Sequence, residues 1–182
     1  FEMTAAIDYA YAIKAPVYLR MGKSDRGDVH SNATIYTPDP IGLTKVRVGR
    51  FDRPGLIATG SMVRTALDIA QDFDLTVWSA SKLKPLLVDG VCMAARESNG
   101  LITLEEHSVI GGLGSAVSEI VSEYQPIHVL RIGVSDRFSE YCGSYEYLLK
   151  EHGLDTDSVR DRIRSFVDHL AEVSASSPQY GR

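Results

Sequence analysis

Glu105, Glu106 and His107 are adjacent side chains that could exchange protons near neutral pH. The two glutamates end the run LITLEE, which predicts a buried strand whose carboxyl end reaches water, where α/β proteins commonly build sites. Neighbouring residues of a strand point to opposite faces, so the two carboxylates cannot form a facing acid–base pair unless the chain turns there. His107 could pair with either one. A structural role or a subunit contact is favoured over catalysis for all three.

A glycine-rich turn, GGLG, follows at residues 111–114. At a helix N-terminus its backbone N–H groups could hold a phosphate. The turn lacks the Lys-Ser/Thr of a P-loop and the full spacing of a dinucleotide-binding fingerprint. Close packing of the following helix on a strand is therefore the favoured interpretation.

Arg20 ends the segment APVYLR, which predicts a short strand. A strand-terminal arginine can hold a phosphate or carboxylate through two parallel hydrogen bonds. On the residues alone, a surface ion pair is the favoured interpretation. The sequence shows no Ser/His/Asp arrangement and no metal-ligand cluster, and Cys92 and Cys142 are far apart without a CxxC motif. We therefore assign no catalytic and no metal-binding residue.

Residues 101–134 predict one strand–turn–helix–strand unit. LITLEE is the first strand, and Ser115 can cap the helix, whose apolar positions recur at helical spacing until Pro126. IHVLRIGV is the second strand. This order predicts a right-handed βαβ crossover in a mostly parallel sheet.

Similar units surround this one from Lys45 onward. Strands are predicted over 45–50 at an edge, and over GLIATG and LTVWSA. Helices are predicted from Ser61, over VCMAARESN between the cap Asp89 and the stop Gly100, over SYEYLLKEH, and after the cap Asp155. The pattern predicts an α/β fold: a three-layer α/β/α domain with a mostly parallel sheet of about five strands.

Composition divides the chain into four parts. Residues 1–21 hold a predicted helix and the short strand VYLRM, too little for a core, so we expect the end of a truncated preceding domain. Residues 22–44 are rich in Gly, Ser, Asp and Pro and predict an interdomain linker. Residues 45–173 hold the α/β domain and residues 174–182 a flexible tail. The first residue is Phe1, and we expect it to mark a cut through a longer chain.

The 182 residues carry a net charge of −5, which gives no electrostatic case for binding nucleic acid or an anionic membrane. No apolar run approaches the roughly 20 residues that a membrane-spanning helix needs. Two isolated cysteines and no signal-peptide pattern favour a cytoplasmic protein.

Four blocks of the sequence resemble the C-terminal domain of the transketolase family, in the family's order and spacing: IATGSMVRTALDIA, KLKPL, LITLEEHSVIGGLGSAVSEI and RIGVSDRFSEYCGSYEYLLKEHGLD. APVYLRMGK resembles the end of that family's pyrimidine-binding domain. The resemblance is greatest to a bacterial or archaeal split transketolase, in its second polypeptide. Leu87 follows KPL where the family often has an acidic residue, which leaves the subfamily open.

The resemblance implies an enzyme that uses thiamine diphosphate and magnesium to move a two-carbon ketol unit between sugar phosphates. The family's diphosphate-and-magnesium motif is absent from these 182 residues, and its activating glutamate would precede Phe1. We therefore expect this chain alone to bind neither cofactor and to be inactive. Arg20 matches the family's sugar-phosphate contact. The implied partners are a second copy in a homodimer and the remaining transketolase domains or subunit.

Three other interpretations stay open. Two are enzymes that share this domain, 1-deoxyxylulose-5-phosphate synthase and the beta subunit of a 2-oxoacid dehydrogenase. The third is a non-catalytic dimerisation or regulatory module. The gene upstream of Phe1 would distinguish them.

Overall fold

A computed structural model describes residues 2–22, 27–29 and 42–176. Six helices and five strands lie in this part of the chain. In order they are α1 (Glu2–Ala12), β1 (Leu43–Arg47), β2 (Gly55–Ala58), α2 (Met62–Phe73), β3 (Thr76–Ala80), α3 (Val88–Arg96), β4 (Leu101–Ser108), α4 (Leu113–Tyr124), β5 (Val129–Val134), α5 (Tyr145–Glu151) and α6 (Thr156–Ser176).

The five strands form one sheet in the order β1-β3-β2-β4-β5. Strands β2 to β5 are parallel, and β1 pairs antiparallel with β3 at one edge. Parallel strands need both faces covered because their crossover helices lie on the two faces. Here α2 and α6 contact each other, as do α3 and α4, and a separate apolar cluster fills each face of the sheet. The predicted three-layer α/β/α fold is confirmed.

The short strand predicted over residues 17–21 is wrong. These residues belong to no strand or helix, and Tyr18 is 89% exposed. A strand exists only through hydrogen bonds to a neighbour, and none of the described strands lies beside this segment. The apolar run has the residue types that suit a strand, but it has no partner strand to pair with among the described residues.

Two predicted boundaries also move. β1 begins at Leu43, inside the predicted linker 22–44. Residues 23–26 and 30–41 of that linker lie outside the described residues. Helix α6 continues to Ser176, into the predicted tail, because no helix breaker precedes Pro178. Residues 177–182 lie outside the described residues.

Two of three predicted helix caps are wrong. α3 begins at Val88, so Asp89 lies in its first turn, and the helix ends at Arg96, well before Gly100. α4 begins at Leu113, so Ser115 also lies inside its helix. Asp155 does cap α6, since it accepts hydrogen bonds from the N–H of Ser158 at 3.2 Å and from its hydroxyl at 2.6 Å.

Hydrogen bonds join the N-terminal segment to the domain. The hydroxyl of Ser79 donates to the carboxylate of Glu2 on α1, and Lys82 donates to the hydroxyl of Tyr9 at 3.0 Å. In the predicted linker, Val29 packs against the core on the side of α2 and α6. No helix within residues 2–22, 27–29 and 42–176 is long and apolar enough to cross a membrane.

Candidate functional site

Three of the candidate residues lie near the carboxyl end of one strand, β4. β4 runs on to Ser108, so Glu105, Glu106 and His107 lie within the strand and not after it. The register between β4 and β5 shifts between Leu104 and Ser108, but the two glutamates still point to opposite faces, as the sequence predicts. Glu105 contacts α4, and Glu106 contacts Ser61 at the start of α2. Each glutamate therefore has its own set of contacts.

Glu105 points toward the N-terminus of α4 and is only 1% exposed. Its Oε2 accepts a hydrogen bond from the backbone N–H of Leu113 at 2.7 Å, and its Oε1 accepts one from that of Gly114 at 2.8 Å. These N–H groups lie in the first turn of α4 and have no partner inside the helix. The positive end of the helix dipole also favours a negative charge at this position. Glu105 thus does the capping that the sequence assigns to Ser115.

The glycine turn makes room for this carboxylate. Gly111 has φ of +74°, a conformation that glycine adopts without strain. A Cβ atom on Gly112 would overlap Oε2 of Glu105, and one on Gly114 would lie 2.7 Å from Oγ1 of Thr103. The turn therefore packs α4 closely on β4, and the N–H groups that could hold a phosphate are already occupied. These contacts support the packing interpretation over the phosphate-binding one.

Glu106 lies on the other face, where it is half-buried and joins two helices. Its Oε2 accepts hydrogen bonds from the hydroxyl of Ser61, at the start of α2, at 2.5 Å and from the hydroxyl of Tyr145, the first residue of α5, at 3.0 Å. Through these two hydrogen bonds, the carboxylate of Glu106 joins β4, α2 and α5 at one point. This geometry is that of a structural contact.

His107 is exposed, and its Nδ1 lies 3.1 Å from the backbone oxygen of Ser108. Neither glutamate forms a hydrogen bond or ion pair with His107, so the pairing that the sequence allows is not present among these residues. The pairing fails because Glu105 and Glu106 are engaged with α4, α2 and α5. The three adjacent residues do not form a proton-transfer cluster.

Arg20 is exposed and makes no hydrogen bond or ion pair with the residues that the structure describes. Its guanidinium is therefore available for a ligand, but none of the other candidates contacts it. The sequence missed Tyr145 as a partner of Glu106. The two residues are 39 positions apart, and only the fold brings α5 to β4.

Thiamine diphosphate and magnesium, implied by the sequence resemblance, do not fit the described residues. The N–H groups of Leu113 and Gly114, which could bind a diphosphate, are occupied by Glu105. Among residues 2–22, 27–29 and 42–176 there is no group of three or more His, Cys, Asp or Glu side chains that could hold a metal ion. We assign no cofactor chemistry to these residues, and cofactor binding by the isolated chain stays a prediction to test.

Comparison with protein families gives a match between residues 52–159 and the transketolase C-terminal domain. One subunit of the apulose-4-phosphate transketolase of Actinobacillus succinogenes is 28% identical over 166 residues, which cover 88% of this chain and 52% of that protein. The 1-deoxy-D-xylulose-5-phosphate synthase of Cupriavidus necator is 42% identical over 115 residues, which cover 62% of this chain and 18% of that protein.

A solved structure of a split-gene transketolase, an inactive β4 tetramer, matches this fold with a TM-score of 0.74. That protein is 32% identical, and the match covers 90% of this chain and 53% of that one. The chain thus spans about half the length of these two transketolase relatives, and 18% of the synthase.

Proposed function

Because the chain belongs to the transketolase family through its C-terminal domain, we propose that it is part of a thiamine-diphosphate-dependent transferase. The proposed reaction moves a two-carbon ketol unit between sugar phosphates in the cytoplasm. Domains outside this chain bind the cofactor and carry the chemistry. Residues 45–173 serve the assembly of the enzyme.

The observation that carries this proposal is the extent of the similarity to split transketolases. The match to the apulose-4-phosphate transketolase covers 88% of this chain, and the match to the split-gene structure covers 90%. Both matches extend well beyond the C-terminal domain at residues 52–159. This extent favours a transketolase polypeptide in which a preceding domain and a C-terminal domain are joined.

The exposed apolar residues of the N-terminal segment support its assignment to a preceding domain. On α1, Met3, Ile7 and Tyr11 recur four residues apart and are exposed, so they lie on one face of the helix. Residues 17–21 expose further apolar side chains. We assign residues 1–21 to the end of a pyrimidine-binding domain, and these side chains then pack against the rest of that domain.

Arg20 is the residue we assign to substrate. Its side chain is exposed and unpaired among the described residues, and a planar guanidinium can bind two phosphate oxygens together. The phosphate of a sugar substrate is the proposed ligand. Glu105, Glu106 and His107 are not assigned to chemistry, because the two glutamates fix helices and His107 has neither of them as a partner.

The proposed partners are a second copy of this chain and the polypeptide that carries the remaining domains. A protein 32% identical to this chain forms a β4 tetramer, which supports self-association. A synthase that makes 1-deoxy-D-xylulose 5-phosphate is the second candidate function, because the 42% identity over 115 residues favours it.

Activity of the full enzyme tests the proposal. The polypeptide in which this chain continues into the rest of the proposed pyrimidine-binding domain is combined with the one that carries the cofactor-binding domain, and two products are measured by mass spectrometry. We expect transfer of a ketol unit from one sugar phosphate to another. Formation of 1-deoxy-D-xylulose 5-phosphate without ketol transfer would overturn the proposal in favour of the synthase.

A further inference from the structure

The carboxylate of Glu105 is buried without a cationic partner. The side chain is 1% exposed, and no Lys, Arg or His among the described residues forms an ion pair with it. A buried carboxylate needs compensation, which normally comes from an opposite charge or from several hydrogen bonds. Here two consecutive backbone N–H groups and the N-terminus of the 12-residue helix α4 supply it.

This is the arrangement in which proteins hold a free oxyanion. The N–H groups of Leu113 and Gly114 each bind a different oxygen of one carboxylate, at 2.7 and 2.8 Å. Backbone N–H groups at the start of a helix bind phosphate and carboxylate ligands in the same way. Glu105 differs from such a ligand only in its covalent attachment to β4.

A second polar group lies unused beside the turn. Thr103 is fully buried on the same face of β4 as Glu105, and its Oγ1 has no hydrogen-bond partner among the described residues. Its Oγ1 lies 2.7 Å from the position that a Cβ atom on Gly114 would take, so the hydroxyl faces the first turn of α4. Buried hydroxyls are normally hydrogen-bonded, so this donor is available to an oxyanion at the turn.

We infer that residues 111–114 form a binding site for a small carboxylate or similar oxyanion, which the side chain of Glu105 occupies in the native protein. The native protein therefore binds no phosphate at this turn. The inference rests on Glu105, Thr103 and the turn alone, and it does not depend on the proposed function.

Glu105→Ala tests the inference because it removes one methylene and the carboxylate, a fragment the size of acetate. We expect the variant to melt at a lower temperature than the native protein. Acetate should then raise its melting temperature, by at least about 3 °C at saturation, relative to chloride at equal ionic strength. Inorganic phosphate, which is tetrahedral and larger, should raise it less, and a larger effect of phosphate would overturn the assignment to a carboxylate.

Three controls separate site binding from a general effect of acetate. Glu105→Gln keeps the site filled by an amide, and Glu123→Ala removes an exposed carboxylate while Glu105 still fills the site, so acetate should stabilise neither variant. The native protein should not respond. An equal response of any control to acetate, or no response of Glu105→Ala, would overturn the inference. If Glu105→Ala is obtained only as aggregate, refolding from urea replaces melting as the readout, and a yield that acetate does not increase also overturns it.

Discussion

Gly112 and Glu105 occupy adjoining space so closely that a Cβ atom on Gly112 would overlap Oε2 of Glu105. The glycine is therefore required by a side chain of β4, since Gly112 itself has φ of −91° and no left-handed strain. The close approach of the Glu105 side chain, and not a special backbone conformation, explains why a glycine is needed at position 112.

Gly112→Ala should destabilise the protein by about 1–3 kcal/mol, because the added methyl group must displace a buried, hydrogen-bonded carboxylate. Urea unfolding measures the change. Gly22→Ala is the matched control, since a Cβ atom there meets nothing within 4 Å. A Gly112→Ala protein as stable as the native one would contradict the packing that we describe.

Tyr145→Phe should destabilise the protein by about 0.5–1.5 kcal/mol, because it removes one of the two hydroxyl donors of Glu106. Ser61→Ala removes the other donor. The double variant gives the interaction energy between the two substitutions, which shows whether the two hydrogen bonds to Glu106 are independent. Tyr141→Phe is the control, because Tyr141 is exposed and its hydroxyl has no hydrogen-bond partner among the described residues. Equal effects of Tyr145→Phe and Tyr141→Phe in urea unfolding would show that the contact adds nothing.

Asp155→Ala should cost about 1 kcal/mol at neutral pH, because it removes the cap of α6. Burial of Asp155 raises its pKa, but hydrogen bonds from the side chain and backbone of Ser158 lower it, and the net pKa lies below the ordinary 3.8. A folded-state pKa below the unfolded one adds stability above pH 3.8, and this contribution is lost as the pH falls through the folded-state pKa.

The stability difference between native protein and Asp155→Ala should therefore shrink as the pH falls below about 4, as measured by urea unfolding at several pH values. Asp68→Ala, an exposed position on α2, is the control and should differ from native protein by less than about 0.5 kcal/mol throughout. A difference for Asp155→Ala that stays constant from pH 7 to the acid range would contradict the lowered pKa.

Arg20→Ala in the assembled enzyme should raise the Michaelis constant for phosphorylated sugars. The fall in kcat/KM should correspond to about 1.5–3 kcal/mol of lost transition-state stabilisation, because a charge-assisted hydrogen bond to phosphate is lost. Steady-state kinetics with glycolaldehyde, which offers no anion, should change far less. Arg20→Lys should recover only part of the loss, because an ammonium group cannot form the paired hydrogen bonds. An equal loss on both acceptors would make Arg20 structural.

The protein should form a homodimer, with twice the 20.0 kDa mass of one chain in light scattering. The β4 tetramer formed by a protein 32% identical to this chain supports self-association. A monomer at high micromolar concentration would contradict the prediction. A tetramer would show self-association of the kind seen in the split-gene relative.

The sheet and its helices could be predicted because each buried strand is a short apolar run and each helix has an apolar face, which are local properties. The role of Glu105 could not be predicted, since it depends on a side chain that reaches back across a turn to residues eight and nine positions away. The contact of Glu106 with Tyr145 spans 39 residues and depends on the whole fold. Residues 17–21 have the composition of a strand, but a strand also needs a neighbour.

The antiparallel direction of β1 determines at which end of the sheet the preceding residues of the chain lie. Leu43 pairs with Ala80, so β1 begins beside the carboxyl end of β3 and runs back toward its amino end. A parallel first strand would begin at the opposite end, about 16 Å away for five residues. The reversal brings the incoming chain to the side where Ser79 and Lys82 contact α1. One antiparallel strand thus lets the sheet begin at the carboxyl end of β3, on the side where α1 lies.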